Sequence, residues 1–454
     1  MILKKECYND ERAIKKGNSL MLKKVIKEAF PTVLAFTMSG MYSIVDGIFV
    51  SRYVGSNALS AVNIVYPVLN LLFAFGIMLS TGGSAIVARQ MGEKREQEAR
   101  ENFSLLAAVS VAIGFLILIL GLLFLEPLCG VLGATPVIMK DCKIYLGVLL
   151  GFGPLTMLQM FFQVFFVTAG KPGLGLGFTI SGGVANMVLD YVFMGPMEMG
   201  VLGAALATGL GQAIMAVAGV FYFFWVKGSL YFVKPVFRGK MLLQSCGNGS
   251  SEMVSNLSTA VVTFLFNITM MQLVGEDGVA AITIVLYGQF LFTSLYLGFS
   301  IGVGPVFSFN YGNENHEQMK RIYRICKWFI VLSSMVILAV ALFFSEPIVR
   351  IFTGEANHTY ELAVEGFFLF SFNYLFAGIN IFASAMFTAL SNGKISAIIS
   401  FCRTFVFITA SIVLLPRIMG ITGVWLAVPL AELVTLFISI AYLRGQKKVY
   451  HYGG

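Results

Sequence analysis

The stretch "VDGIFVSRYVGSNALSAVNIVYPV", Val45 to Val68, runs out of one apolar block and into the next, and two of its features decide how the chain is read. The first is Asp46, the only charged residue between Pro31 and Val50. The second is its punctuation, because Val54-Gly55 and Ala61 return 220 residues later as Val274-Gly275 and Ala281. The same offset carries Gly82 onto Gly302, Gly92 onto Gly312, Glu126-Pro127 onto Glu346-Pro347, and Gly203 onto Gly423. Between these points the register slips by three, so that "AGKPG" from Ala169 faces "SNGKI" from Ser391, and then recovers. The chain reads as one unit written twice.

What the unit is follows from composition. Of 454 residues, 57% are hydrophobic and 12% charged, and the apolar residues come in long blocks, which is the signature of a polytopic membrane protein. Runs of about 20 apolar residues, enough to cross a hydrocarbon core of roughly 30 Å, predict twelve helices. They start near residues 31, 59, 102, 143, 174, 201, 250, 279, 327, 362, 395 and 421. The fold class expected is therefore all-α integral membrane, as two parallel six-helix lobes whose repeat axis stands along the membrane normal.

The net charge of +8 is topological. Twenty-five of the 31 Lys and Arg fall in alternate segments: the N-terminal tail, Arg89 to Arg100, Lys171, Lys227 to Lys240, Lys320 to Lys327, Lys394, and Arg444 to Lys448. This asymmetry predicts that those segments and both termini are cytoplasmic, and it removes the reason to invoke nucleic acid. The expected organisation is a cytoplasmic tail (1–30), a first lobe (31–225), a cytoplasmic linker (226–245), a second lobe (246–445) and a short tail (446–454). Helix 1 lacks a small-residue cleavage site and reads as retained. The six cysteines show no metal-ligand spacing, and a disulfide between Cys129 and Cys142, the only pair in one external loop, is not expected.

The stretch quoted above, "ANMVLDYVFM" with "GVLGAALATGLGQ" (Ala185 to Gln212), and "FTALSNGKISAIISFCRTFVFI" with "GITGVWLAVPLAEL" (Phe387 to Leu433), resemble the multidrug and toxic compound extrusion (MATE) family. "GNGSSEMVSNLS" (Gly247 to Ser258) resembles its bacterial MepA-like branch. The resemblance implies a V-shaped pair of lobes in the cell (inner) membrane, exporting organic cations or amphipathic aromatic compounds in exchange for H+ or Na+. It implies no enzyme activity, no cofactor beyond the coupling ion, and no partner beyond the small-molecule drug and the lipid bilayer.

Asp46 and Asp190 each stand about sixteen residues into a predicted helix, where an acid costs roughly 2.5 to 3.5 kcal/mol on insertion scales. Two carboxylates in one dry site titrate as a unit, and a proton or a monovalent cation relieves their desolvation and repulsion. Asn186, one turn before Asp190, faces the same way. The resemblance adds Thr208 in helix 6 to this set, and makes Asp46, Asn186, Asp190 and Thr208 the expected proton- or Na+-coupling residues, with no other metal expected. It also matches Pro31 to a helix 1 proline that permits bending, the alternative being a first-turn proline.

The second lobe is chemically unequal, since Phe266 stands at the repeat position of Asp46 and Val413 at that of Asp190. There Glu252 is the expected cation or substrate contact, the alternative being a helix-start carboxylate that satisfies free backbone N–H groups. Asn267, Gln289 and Asn373, with Tyr42, Gln159 and Gln163 of the first lobe, are candidates for lining a substrate cavity, the alternative being hydrogen bonds between helices. Arg403 and Glu432 lie at comparable depth in helices 11 and 12 and are expected to form a structural ion pair. "GKPGLGLG" (Gly170 to Gly177) imitates a phosphate loop without its GK[ST] ending, and no HExxH or GxSxG occurs. A lipid-linked oligosaccharide flippase of the same superfamily, and a membrane-embedded enzyme or receptor, are the rival readings.

Overall fold

The computed structural model describes residues 2–353 and 358–453, with side chains from Lys23 onward apart from positions 24, 43, 44 and 56. Cys7 and the basic side chains up to Arg12, Lys15 and Lys16 lie outside the described side chains. The first half comprises α1 (Ile2–Phe49), α2 (Ser56–Gly92), α3 (Glu96–Leu123), α4 (Leu125–Val131), α5 (Met139–Gly151), α6 (Gly153–Thr168), α7 (Pro172–Met194) and α8 (Gly200–Trp225). The second comprises α9 (Gly239–Leu273), α10 (Glu276–Gly312), α11 (His316–Phe343), α12 (Ser345–Thr353), α13 (His358–Ser371) and α14 (Tyr374–Ala389). It continues through α15 (Gly393–Phe401), α16 (Ile408–Met419), α17 (Ile421–Gly445) and the one-turn α18 (Lys447–Tyr450). π-Helical turns close α1 (Val50–Val54) and join α15 to α16 (Cys402–Phe407).

Among the described residues ten helices are long and apolar enough to cross a membrane, and α5 with α6 and α13 with α14, bent by 55° and 53°, bring the number to twelve if each pair is one span. The two bends were not legible as breaks in apolar character. The first follows from "GFGP", because Pro154 has no N–H to continue the ladder. The helices α3, α9 and α11 begin well before the apolar runs that announced them, and α1 runs unbroken through Pro31 from Ile2. Pro31 is therefore no first-turn proline, and the helical break lies at Val50–Val54 instead. Hydropathy senses only the hydrocarbon layer, whereas backbone hydrogen bonding continues past it into the polar zone. For the same reason Glu252 sits thirteen residues inside α9 rather than near a helix start, and the segment between the halves is Val226 to Arg238, shorter than its polar composition suggested.

The duplication extends to backbone detail. The helices α10 and α11 repeat the bounds of α2 and α3 at the 220-residue offset. Gly55 (φ 112°) and Gly275 (φ 89°) open the second helix of each half, and Lys94 (φ 61°) and Glu314 (φ 52°) turn the chain at the corresponding later corner.

The halves meet along a seam of backbone contacts at one end. A Cβ on Gly92 would stand 2.1 Å from the Phe309 carbonyl oxygen, and one on Gly312 the same distance from that of Arg89. Since 92 and 312, and 89 and 309, are repeat partners, the contact is reciprocal about the pseudo-two-fold. Beside it, Gly82 approaches Ser245 O and Gly249 approaches Met78 O, each at 2.0 Å from the ideal Cβ position. This is the end that carries Arg89, Lys94, Arg95, Lys320 and Arg321. Toward the far end, Tyr66, Tyr287 and Phe290 are exposed.

The connecting segment is strapped to the first half. Val233 N donates to Ser104 Oγ at 2.9 Å, Arg100 Nε donates to Ser229 O at 3.2 Å, and the Arg100 guanidinium covers the Tyr231 ring at 4.6 Å. Arg238, its last residue, pairs with Glu101 (2.7 Å) and Glu98 (3.4 Å) and donates to Asn102. Phe232 joins the Phe103, Phe162 and Phe223 cluster.

The second half has one continuous core, into which Val25 and Ala29 of α1 insert. The first half has two, one around Phe103, Phe161 and Phe165 and one around Val65, Cys142 and Leu146. Cys129 and Cys142 are both buried free thiols.

Candidate functional site

Tyr42 lies flat on α7, its ring where a Cβ on Gly183 would be, 1.9 Å from Cε2. Only glycine leaves that space, so α1 and α7 come close, and the residues that follow Tyr42 and Gly183 on the same helix faces meet. Asp46 is one turn beyond Tyr42, while Asn186 and Asp190 follow Gly183 by three and seven residues. The helices α7 and α8 are equally close, with the ideal Cβ of Gly211 at 2.9 Å from that of Asn186. This brings Thr208 to the same place.

The result is a chamber in which Asp46 stands beside Asp190 and Thr208, and Asn186 beside Asp190. Asp190 is fully buried and Asn186 nearly so, whereas Asp46 is half-buried and forms the chamber's accessible side. Asp46 Oδ1, both carboxylate oxygens of Asp190, Asn186 Nδ2 and the Tyr42 hydroxyl have no well-formed protein partner. Thr208 Oγ1 donates to Ala204 O at 3.0 Å. Two neighbouring buried carboxylates accept one shared proton, or one hard cation held by carboxylate, hydroxyl and amide oxygens. Among the described residues no three His, Cys, Asp or Glu side chains gather as a metal cluster.

Tyr145 of α5 completes this chamber. Its buried side chain stands near Thr208, Asp46, Tyr66 and Asp190. Placing helix 4 at residue 143 put Tyr145 in a first interfacial turn, and nothing in its neighbours "KDCKIYLG" marks it otherwise.

The remaining candidates separate. Gln159 and Gln163 of α6 are 3.5 Å apart, but Gln163 is buried and only Gln159 is partly accessible. Asn267 and Gln289 are half-buried on α9 and α10, with Asn267 Oδ1 unpartnered. Asn373 is fully buried at the bend between α13 and α14, where its Nδ2 donates to Phe370 O at 2.6 Å and its Oδ1 is unpartnered. Glu252 is half-buried and accepts from Ser251 Oγ.

Arg403 Nε donates to Glu432 Oε1 at 2.7 Å, and Asn380 Nδ2 donates to both Glu432 Oε2 (2.7 Å) and Glu432 O (2.9 Å). Glu432 is 1% exposed, so Arg403 and Asn380 are what keep its charge in place. At the positions that answer Asp46 and Asp190, Phe266 is buried in the second core and Val413 is exposed on the outside.

The MatE family model matches residues 31–192 and again residues 252–413. The multidrug export protein MepA of Staphylococcus haemolyticus (strain JCSC1435) is 23% identical over 452 residues, covering 95% of each chain. MepA of Staphylococcus aureus (strain MRSA252) is 22% identical over 443 residues, covering 93% of each. Among solved structures, the outward-facing conformation of a multidrug resistance MATE family transporter of the MOP superfamily superposes with a TM-score of 0.89 at 22% identity, over 95% of this chain and 96% of that one. A MATE transporter in complex with MaL6 does so with a TM-score of 0.89 at 21% identity, over 95% and 97%.

Proposed function

Because the chain belongs to the MatE family of membrane transporters, we propose that it is a secondary antiporter that expels organic cations or amphipathic aromatic compounds in exchange for H+ or Na+. The observation that carries this reading is the convergence of Asp46 and Asp190, from two helices, in one chamber where Asp46 Oδ1 and both Asp190 oxygens lack a well-formed hydrogen bond. Such a pair has a high affinity for one positive ion and little for a second, which is what coupling one ion to one drug requires. Asn186 and Thr208 supply the neighbouring polar groups, with Tyr145 beside them.

The basic end is read as cytoplasmic by the distribution of Lys and Arg, with both termini inside and the protein in the cell membrane. On that reading the glycine seam is a cytoplasmic seal, and the conformation is open outward. The lobes, 31–225 and 246–445, then rock about the seam. The cation enters from outside at Asp46, α1 shifts around Pro31 and the π-helical turn, the drug leaves outward, and the cation leaves inward after the lobes reverse. Tyr42, Gln159, Asn267 and Gln289 contribute polar contacts to the drug, and Glu252 is a cation or substrate contact of the second lobe.

The energetics permit the exchange. For an uncharged drug, a proton moving down 100 mV releases about 2.3 kcal/mol against the roughly 1.4 kcal/mol of a tenfold drug gradient; one-for-one exchange with a monovalent organic cation moves no net charge, so there the ion's own concentration gradient is the driving force. A lipid-linked oligosaccharide flippase would be expected to present several free cationic groups to its cavity, and the one intramembrane arginine, Arg403, is already matched by Glu432.

The test is ethidium efflux from energised vesicles, with proton and sodium gradients imposed separately. Asp46→Asn should fold normally and lose gradient-driven efflux. Wild-type efflux rates in that variant would remove the carboxylate pair from the mechanism.

A further inference from the structure

The segment that follows α17 repeats the strap of the first half. At the 220-residue offset Phe103 and Phe232 answer to Tyr323 and Tyr452, and both pairs are in ring contact, at 5.1 Å and 4.9 Å between centroids. Phe223 answers to Leu443, and the carbonyl oxygen of each accepts from the same repeat position, from Phe232 N at 3.0 Å and from the Tyr452 hydroxyl at 2.9 Å. Each segment is also tied to the corner where the fifth span of its half begins. Ser229 Oγ donates to Ala169 O at 3.2 Å, and Asn392 Nδ2 donates to the Tyr450 hydroxyl at 2.8 Å. His451, at φ 55°, turns the chain back so that Tyr452 is buried, and its ring lies 4.2 Å from that of His316 on α11. A segment held by the contacts that hold the connecting strap is a built part of the second lobe.

One substitution within the repeat gives it a further contact. Where the strap has Leu230, the later segment has Tyr450, and both are buried. The Tyr450 ring packs on that of Tyr311 of α10, with centroids 5.5 Å apart. The guanidinium of Arg89, from α2 of the first half, lies over the Tyr311 ring at 5.0 Å and stands near Tyr450. Arg89 is also the residue whose carbonyl oxygen meets Gly312 in the seam. Asn392 is oriented by capping α15, where its Oδ1 accepts from Ile395 N at 3.2 Å, and this directs its Nδ2 to Tyr450. The contact is one-sided, because the repeat partners of Arg89 and Tyr311 are Phe309 and Met91, which supply neither a cation nor a ring to receive one.

We propose that the segment from Lys447 to Gly453 is a latch on the basic end of the transporter, in which Tyr450 holds the Tyr311 ring where Arg89 of the opposite lobe rests on it and so favours the sealed seam. This rests on the reading that the lobes rock about that seam. Tyr450 and Asn392 are positioning residues that act through Tyr311. A cation over an aromatic face at a partly exposed site is worth about twofold to fivefold in an equilibrium. The latch gains that factor when the seam is closed and forfeits it when the lobes part.

Nitroxides at Gln97→Cys on α3 and Arg324→Cys on α11, two exposed positions, in a chain whose native cysteines are replaced, report the separation of the lobes at this end. Tyr450→Leu, which installs the residue of the first repeat, should raise the ratio of long to short distances about twofold to fivefold. Tyr311→Leu should do the same, and the double variant should go no further, because the two residues act in series. Tyr311→Phe keeps the ring under Arg89 and should leave the ratio unmoved. Arg89→Met makes the same test from the other lobe and replaces Tyr450→Leu if that variant does not fold. An unmoved ratio in the folded variant, or fully additive shifts in the double, overturns the latch. If Gly82→Ala still shifts the ratio in that case, the rocking reading stands without the latch; a ratio that no variant moves, Gly82→Ala included, removes the rocking reading as well.

Discussion

The seam between the halves is built so closely that one methyl group should change which way the transporter faces. At Gly82 and Gly249 an added Cβ would lie 2.0 Å from a carbonyl oxygen of the opposite half, where ordinary contact begins near 3.4 Å. The backbones would have to part by roughly 1.4 Å, and backbone, unlike a flexible side chain, cannot swing aside. Overpacking of this kind costs about 1 to 3 kcal/mol. It acts only while the basic ends of the lobes touch, so Gly82→Ala or Gly249→Ala should disfavour the sealed state by roughly 5- to 150-fold. The assay is the distance between nitroxides at Gln97→Cys and Glu317→Cys, two exposed positions on α3 and α11, in a chain whose native cysteines are replaced. The expected result is a shift from a short to a long distance population in either variant, with loss of efflux. An unchanged distance distribution in both would show that the seam is not a state-specific contact.

Arg403→Ala strands the buried Glu432 carboxylate on Asn380 alone and should lower stability in mixed-micelle unfolding by about 3 to 5 kcal/mol. Adding Glu432→Ala should cost much less than its effect alone, and strictly additive losses would argue against the pair. Tyr145→Phe deletes one hydroxyl from the first-lobe chamber and should slow proton-driven ethidium efflux three- to tenfold, about 1 kcal/mol, with the thermal midpoint preserved. Arg238→Ala releases the end of the connecting segment from Glu98, Glu101 and Asn102, and limited trypsin digestion should then cleave faster at Lys227. A wild-type cleavage rate would mean that the aromatic contacts of Phe232 hold the strap alone.

How far the sequence reached depended on what kind of signal each feature leaves. The doubled register was visible because turn and close-contact residues tolerate few replacements, and Gly92 and Gly312 proved to be where the halves touch. Asp46, Asn186 and Asp190 stood out because acids and amides are rare in apolar helices. Tyr145 did not, since an aromatic residue near a helix start is ordinary at a membrane interface. Asn373 was ambiguous for a different reason: an asparagine within an apolar run reads alike whether it faces a cavity or closes a bend.

The sequence by itself determined the spans, the tandem repeat and the inequality of the two halves, because hydropathy, positive charge and repeat punctuation are written in linear order along the chain. Only the tertiary structure decided that Asp46 and Asp190 share a chamber, that Asn373 lies at a bend, and that one end of the lobes is sealed. Those facts depend on helices far apart in the chain approaching to within a Cβ of one another, and helical periodicity sets which face a residue occupies but never which other helix that face will meet.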